Sequence, residues 1–180
     1  MLLTPSESVL LVIDVQGKLA YLMHERDMLF KHMQALIKAA KILSIPIFYT
    51  EQVPEKIGST IPEIKNLLVD EKPIHKTAFS CYLEPKFVKA LKETKRKNVI
   101  VIGIETHVCV FQTVADLVYH KYNVNVVADA VSSRTGLNKT IAIDRMREMG
   151  VTITATEMIA TELLRDSTHP HFKEILSLIR

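Results

Sequence analysis

The chain has 180 residues, of which 48% are apolar, with a formal net charge of +3 and two cysteines. That length fits one domain over residues 1–180 with one sizeable core, and the charge is too small to imply a nucleic-acid partner. No apolar run reaches the roughly 18 residues of a membrane span, the N-terminus lacks a signal peptide's pattern, and two cysteines make no disulfide framework, so cytoplasm and free thiols are expected.

In chain order, SVLLVID at 8–14 reads as a strand buried on both faces, because its apolar residues run continuously rather than alternating. Leu29, Met33, Leu36, Ala40 and Leu43 then recur at helical spacing. IPIFYT at 45–50 is a second strand, and EQVPEKIGSTIPE at 51–63 is the longest irregular stretch, with prolines, a glycine and a place directly after a strand that mark a functional loop. PIHK at 73–76 is a strand end or an extended loop, followed by a helix in KFVKALKE at 86–93. The basic cluster KETKRKN at 92–98 contains a glutamate and sits where cations complement a helix dipole, so it reads as solvated surface.

NVIVIG at 98–103 and NVVAD at 125–129 are further buried strands, separated by a helix whose apolar face carries Val110, Val114, Leu117 and Val118. LNKTIAIDRMREMG at 137–150, the short strand VTIT at 151–154 and EMIATELLRD at 157–166 continue the alternation. HPH at 169–171 precedes a last helix, and with no carboxylate or cysteine at ligand spacing it predicts no metal site. Repeated βα units of this kind predict an α/β fold, a three-layer α/β/α Rossmann-like sandwich with a mostly parallel central sheet.

In such sheets ligands bind at the carboxyl ends of the strands, and three reactive side chains fall there: Asp14, Lys76 and Cys109. Each has a plain reading alone, as a turn former, a solvated lysine and a small packing residue. Their joint placement favours chemistry. With Thr106 as N-cap, Cys109 becomes the third helical residue, where the helix dipole lowers a thiol pKa and the unpaired Cys109 amide, with that of Glu105 or a neighbour, holds an oxyanion. Asp14 takes the thiol proton while Lys76 offsets its charge. His107 lies two residues from Cys109 and projects away from it, and Cys81 reads as packing. Gln16, Gln52 and Phe79 are substrate-contact candidates, the two glutamines otherwise being exposed amides. The chemistry points to a hydrolase of amide-type C–N bonds, the alternative being a binding or scaffold protein with little turnover.

The combination of VIDVQ at 12–16, Lys76 followed by Phe79 and Ser80, GIETHVCV at 103–110 and VADAVSSR at 127–134 resembles the isochorismatase-like cysteine hydrolases. The segments at 50–63 and 169–175 resemble its isochorismatase domain-containing subgroup. The resemblance implies an Asp-Lys-Cys triad at Asp14, Lys76 and Cys109, a thioester intermediate, a cis peptide between Ile104 and Glu105, no cofactor, and a homo-oligomer, a dimer or a multiple of it. Ser132, Ser133 and Arg134 at a strand end read either as part of a subunit interface or the pocket rim, or as an ordinary turn with a solvated arginine. Two departures narrow the resemblance. The segment TEQVP lacks the metal-binding histidines of the family's nicotinamidases, so no metal is expected, and Cys109 is the nucleophile that isochorismatases proper lack, which disfavours vinyl ether hydrolysis.

Overall fold

A computed structural model describes residues 2–179. Six strands form one sheet: β1 (Ser8–Ile13), β2 (Ile47–Gln52), β3 (Ile74–Lys76), β4 (Asn98–Ile104), β5 (Asn123–Ser132) and β6 (Thr152–Thr154), in the order β3-β2-β1-β4-β5-β6. Every neighbouring pair is parallel. The chain therefore builds outward in two directions from β1, and the β1–β4 boundary is the switch point at which open sheets hold their ligands.

The strand runs are continuous because both faces are covered. From β1, Leu10 and Val12 pack under α2 (Arg26–Ile42), with Met33, Leu36 and Ile37, and under α8 (Thr156–Leu164), with Ile159 and Leu163. Val9, Leu11 and Ile13 point the other way, to Phe87 and Leu91 of α5 (Pro85–Glu93), Val114 and Leu117 of α6 (Phe111–Tyr119) and Met146 of α7 (Gly136–Glu148). Full burial of each such side chain contributes about 1.5–3 kcal/mol. The C-terminal α9 (Phe172–Leu178) closes a smaller cluster in which Ile175 meets Ala39, Ala160 and Leu164. Local signals set the helix starts: Pro85 opens α5 while the Glu84 carboxylate accepts from the Lys86 amide, and Thr135 accepts from the Asn138 amide before α7.

The boundaries depart from the sequence expectations in informative ways. The stretch at 51–63 is not wholly irregular: β2 runs on to Gln52, and two single-turn helices, α3 (Pro54–Ile57) and α4 (Pro62–Lys65), each begin at a proline. Another short helix, α1 (Gly17–Ala20), follows β1 directly. β5 is longer than NVVAD and extends through Ser132, with a register shift against β4 between Val101 and Gly103. Gly103 has a φ of 128°, and a Cβ there would lie 2.3 Å from the Ile13 carbonyl oxygen, so only glycine lets β4 approach β1 beside Asp14. Among the described residues, no helix is long and apolar enough to cross a membrane.

Candidate active site

Asp14 stands one residue beyond β1 in a left-handed backbone conformation, φ 50°, which turns the chain away from the sheet and leaves the carboxylate at the strand tip. Its Oδ1 accepts from the Thr50 hydroxyl at 2.7 Å and its Oδ2 from Lys76 Nζ at 2.6 Å. Lys76, the last residue of β3, has a fully buried side chain. Its ammonium also reaches Gln52 Oε1 at 2.7 Å and the carbonyls of Phe79 and Ala78 at 3.0 and 3.1 Å. A buried ammonium persists only when surrounded by acceptors in this way.

Cys109 reaches the same point from the other side of the switch. The Ile104–Glu105 peptide is cis, and Thr106–Val110 forms a π-helical turn leading into α6. The Glu105 carbonyl accepts from the amides of both Val108 and Val110. Thr106 is therefore not the N-cap. Glu105 holds that place in an extended conformation, Cys109 is the fourth helical residue rather than the third, and the Thr106 hydroxyl is buried without a partner among the described residues. The Cys109 thiol donates to Gln52 Oε1 at 3.6 Å, so one amide oxygen joins the lysine and the cysteine.

The expected lowering of the thiol pKa is also corrected. Burial, and next the negative charge of Asp14, push the Cys109 thiol well above its ordinary value, and Lys76 offsets this only in part. A fourth-residue thiol gains little from the helix end, whereas it loses nearly all of its water. At rest the residue is a thiol beside a carboxylate.

Asp14, Gln16, Gln52, Phe79, Glu105 and Cys109 line one cavity of about 130 Å³, with Leu19, Ile57, Ile104 and Val108 as its apolar wall. Gln16 and Gln52 are buried rather than exposed. The Gln16 amide accepts from the Gln52 backbone N–H at 2.6 Å and donates to the carbonyls of Gln52 and Gly58, and Gln52 Nε2 donates to the Thr77 carbonyl. Both amides are thus engaged in holding the frame. Phe79 is half exposed at the mouth. The Glu105 carboxylate accepts from the Arg134 guanidinium at 3.0 Å.

Two residues unnoticed in the sequence, Thr50 and Glu51, belong to this frame, together with Cys81, which packs there as expected. Thr50 orients Asp14. The buried carboxylate of Glu51 accepts from the Thr60 amide and hydroxyl and pairs with His75 at 3.3 Å, which pins the loop over the strands. Cys81 lies fully buried with its sulfur 3.6 Å from the Thr50 hydroxyl, and burial raises its pKa to about 11. A strand of polar residues, Thr50-Glu51-Gln52, at the end of a buried run was the available signal. Ser132 donates to the His24 carbonyl and Ser133 bonds His107 Nδ1, so the two serines of the VSSR segment are engaged within the chain. His169 and His171 lie at the opposite end of the chain, His171 pairing with Glu174. A wider groove of about 760 Å³ beside α5, lined in part by Tyr82, Leu83 and His120, carries none of the reactive groups.

The family model described as "Isochorismatase domain" matches residues 8–158. A "Secreted isochorismatase effector Isc1" of Phytophthora sojae is 40% identical, over 99% of this chain and 87% of its own length. The mouse "Isochorismatase domain-containing protein 2A" is 34% identical over 98% of this chain and 84% of its own. Among solved structures, one named "MAR1 Ribonuclease from Caenorhabditis elegans" is 41% identical with a TM-score of 0.93, covering 99% of this chain and 92% of that one. The Escherichia coli ycaC gene product, described as an octameric hydrolase of unknown specificity, superposes with a TM-score of 0.90 at 26% identity, over 99% of this chain and 95% of that one.

Proposed function

We propose that this chain, which belongs to the isochorismatase family, is a metal-independent cysteine hydrolase that cleaves an amide-type C–N bond of a small molecule. The observation that carries the reading is the meeting of Asp14 and Cys109 in one cavity, with Lys76 bound behind both Asp14 and Gln52. The Cys109 sulfur attacks the carbonyl carbon while its proton passes to Asp14, which suits a thiol held protonated until substrate arrives. The carbonyl oxygen, now negative, lies against the amides of Glu105 and Cys109. Collapse breaks the C–N bond, Asp14 returns the proton to the departing amine, and a thioester remains. Water then gives its proton to Asp14 and its oxygen to the acyl carbon, and Cys109 leaves as thiolate and regains that proton.

The test is ammonia release from a panel of primary amides, ureides and carbamoyl compounds, with Cys109→Ala as control. Turnover by the natural chain and none by the variant is expected. Equal activity of the two would reject the nucleophile, and no turnover on any compound would favour a binding or scaffold role.

The name of the nematode neighbour raises a second reading, RNA cleavage. Two features weigh against it for this chain. The basic cluster at 92–98 lies at the amino end of β4, about 20 Å along the strand from the cavity, and its Arg96 is bound to the carbonyls of Pro5 and Ser8. The cavity presents carboxylates, which repel phosphodiesters. An RNA degradation assay on the same two proteins decides, with Cys109-dependent cleavage restoring the second reading. Our reading also places the chain in the cytoplasm, on its two free buried thiols, and in a closed homo-oligomer, in keeping with the octameric bacterial neighbour.

A further inference from the structure

The acidic groups of the cavity face inward and their cations stand outside. Asp14 and Glu105 both line it. Lys76 lies behind Asp14, its three N–H groups shared among four acceptors, and Arg134 grips Glu105 from the solvent side with 57% of its side chain exposed. Both amide N–H groups of Gln16 and one of the two of Gln52 already donate to backbone carbonyls. An anion entering here would lose its water and meet two carboxylates, with only the second Gln52 N–H, a neutral donor, left over among the side-chain amides of the described lining. The rest of the wall is aliphatic or aromatic. Its volume, about 130 Å³, is slightly below the roughly 150 Å³ cavity that takes up benzene in another protein, so about five or six non-hydrogen atoms fill it.

We infer that the site admits small uncharged carbonyl compounds of about six non-hydrogen atoms, with a short apolar tail, and rejects carboxylates of equal size, Glu105 being the residue that sets this charge preference. The inference rests on the hydrolase reading for the reacting group alone. It excludes dicarboxylate substrates for this chain, and it accounts for a pocket whose carboxylates line the cavity while the cations paired with them stand outside it.

Iodoacetamide and iodoacetate test it without requiring turnover, since they have the same number of heavy atoms and differ in charge. Alkylation of Cys109 by each is followed by mass spectrometry of its peptide, with the urea-unfolded chain giving the intrinsic ratio of the two rates. The folded protein is expected to favour iodoacetamide by at least about ten-fold over that ratio. Glu105→Gln is expected to reduce the preference several-fold, and Arg134→Gln, at an exposed side chain that leaves folding undisturbed, to increase it. A folded-state ratio equal to the unfolded one overturns the inference. So does a Cys109 that iodoacetamide leaves unmodified while the unfolded chain reacts fully. Preserved selectivity without ammonia release from any amide would instead overturn the hydrolase reading and leave this one standing.

Discussion

Replacing Lys76 by methionine removes a buried cation of similar length and leaves Asp14 as an uncompensated carboxylate with 6% of its side chain exposed. Breaking a buried ion pair from one side costs about 3–5 kcal/mol, and the carbonyls of Ala78 and Phe79 and the Gln52 oxygen lose a donor as well. Lys76→Met is therefore expected to lower the urea-unfolding free energy by about 4 kcal/mol or more. Asp14→Asn alone removes the charge but leaves the ammonium unbalanced. The double variant contains neither unpaired charge, so it is expected to be more stable than the sum of the single losses by at least about 2 kcal/mol, while the proposed mechanism, without its base, expects no turnover. Equilibrium urea denaturation of the four proteins measures this coupling directly. Strict additivity would falsify the account of Asp14 and Lys76 as a mutually stabilised pair, since their 2.6 Å contact is its whole basis.

Cys109→Ala is expected to abolish turnover at a stability cost of about 1 kcal/mol, and Cys81→Ala to leave most of the activity, both read by ammonia release and urea melts. The Cys81 thiol, raised from 9.0 to about 11, stabilises the fold fully below pH 9, and that contribution is lost as pH rises through 11. In a Cys109→Ala background, adding Cys81→Ala is expected to remove about 3 kcal/mol of the stability decline across that window, and an unchanged slope would contradict the burial argument. Dialysis against a chelator is expected to leave turnover intact, because Glu51, the carboxylate near the end of β2, already has both oxygens engaged with Thr60 and His75; loss restored by one metal would reverse this. Light scattering at micromolar concentration is expected to give a multiple of 20.4 kDa, and a monomer would remove the oligomer proposal without touching the residues of the cavity.

The sheet was legible because burial on both faces leaves a continuous apolar run: SVLLVI needs no partner to announce itself as an interior strand. Helices with a one-sided apolar stripe, such as α2, were legible for the same reason. The one-turn helices in 51–63 were not, since four residues are too few to show a period, and their prolines read equally well as loop residues. At the site, strand-end position was enough to name Asp14, Lys76 and Cys109 as candidates, whereas hydrogen-bond partnerships such as that of Thr50 with Asp14 depend on which strands become neighbours. The thiol's pKa was misjudged because helix position is local and visible in the sequence, while desolvation is set by the packed neighbours of the whole site. Gln16 and Gln52 show the same limit: an amide's composition says nothing of whether its partners are water or backbone.

The Gln16 side chain behaves as one more peptide unit. It accepts from the Gln52 N–H and donates to the Gln52 carbonyl, adding a rung to the β1–β2 ladder at the point where the main chain has already turned away to present Asp14. Glutamate in its place would accept but not donate, so neutrality is required there as well as shape. Because this borrowed rung and the Lys76 hub fix the candidate groups from within the sheet, the residues free to vary are those of the apolar wall, Leu19 and Ile57 on short helices and Phe79 at the mouth. Diversification within such a scaffold would then proceed by exchanging wall residues one at a time, each altering the shape of the acceptable guest while the reacting groups keep their positions.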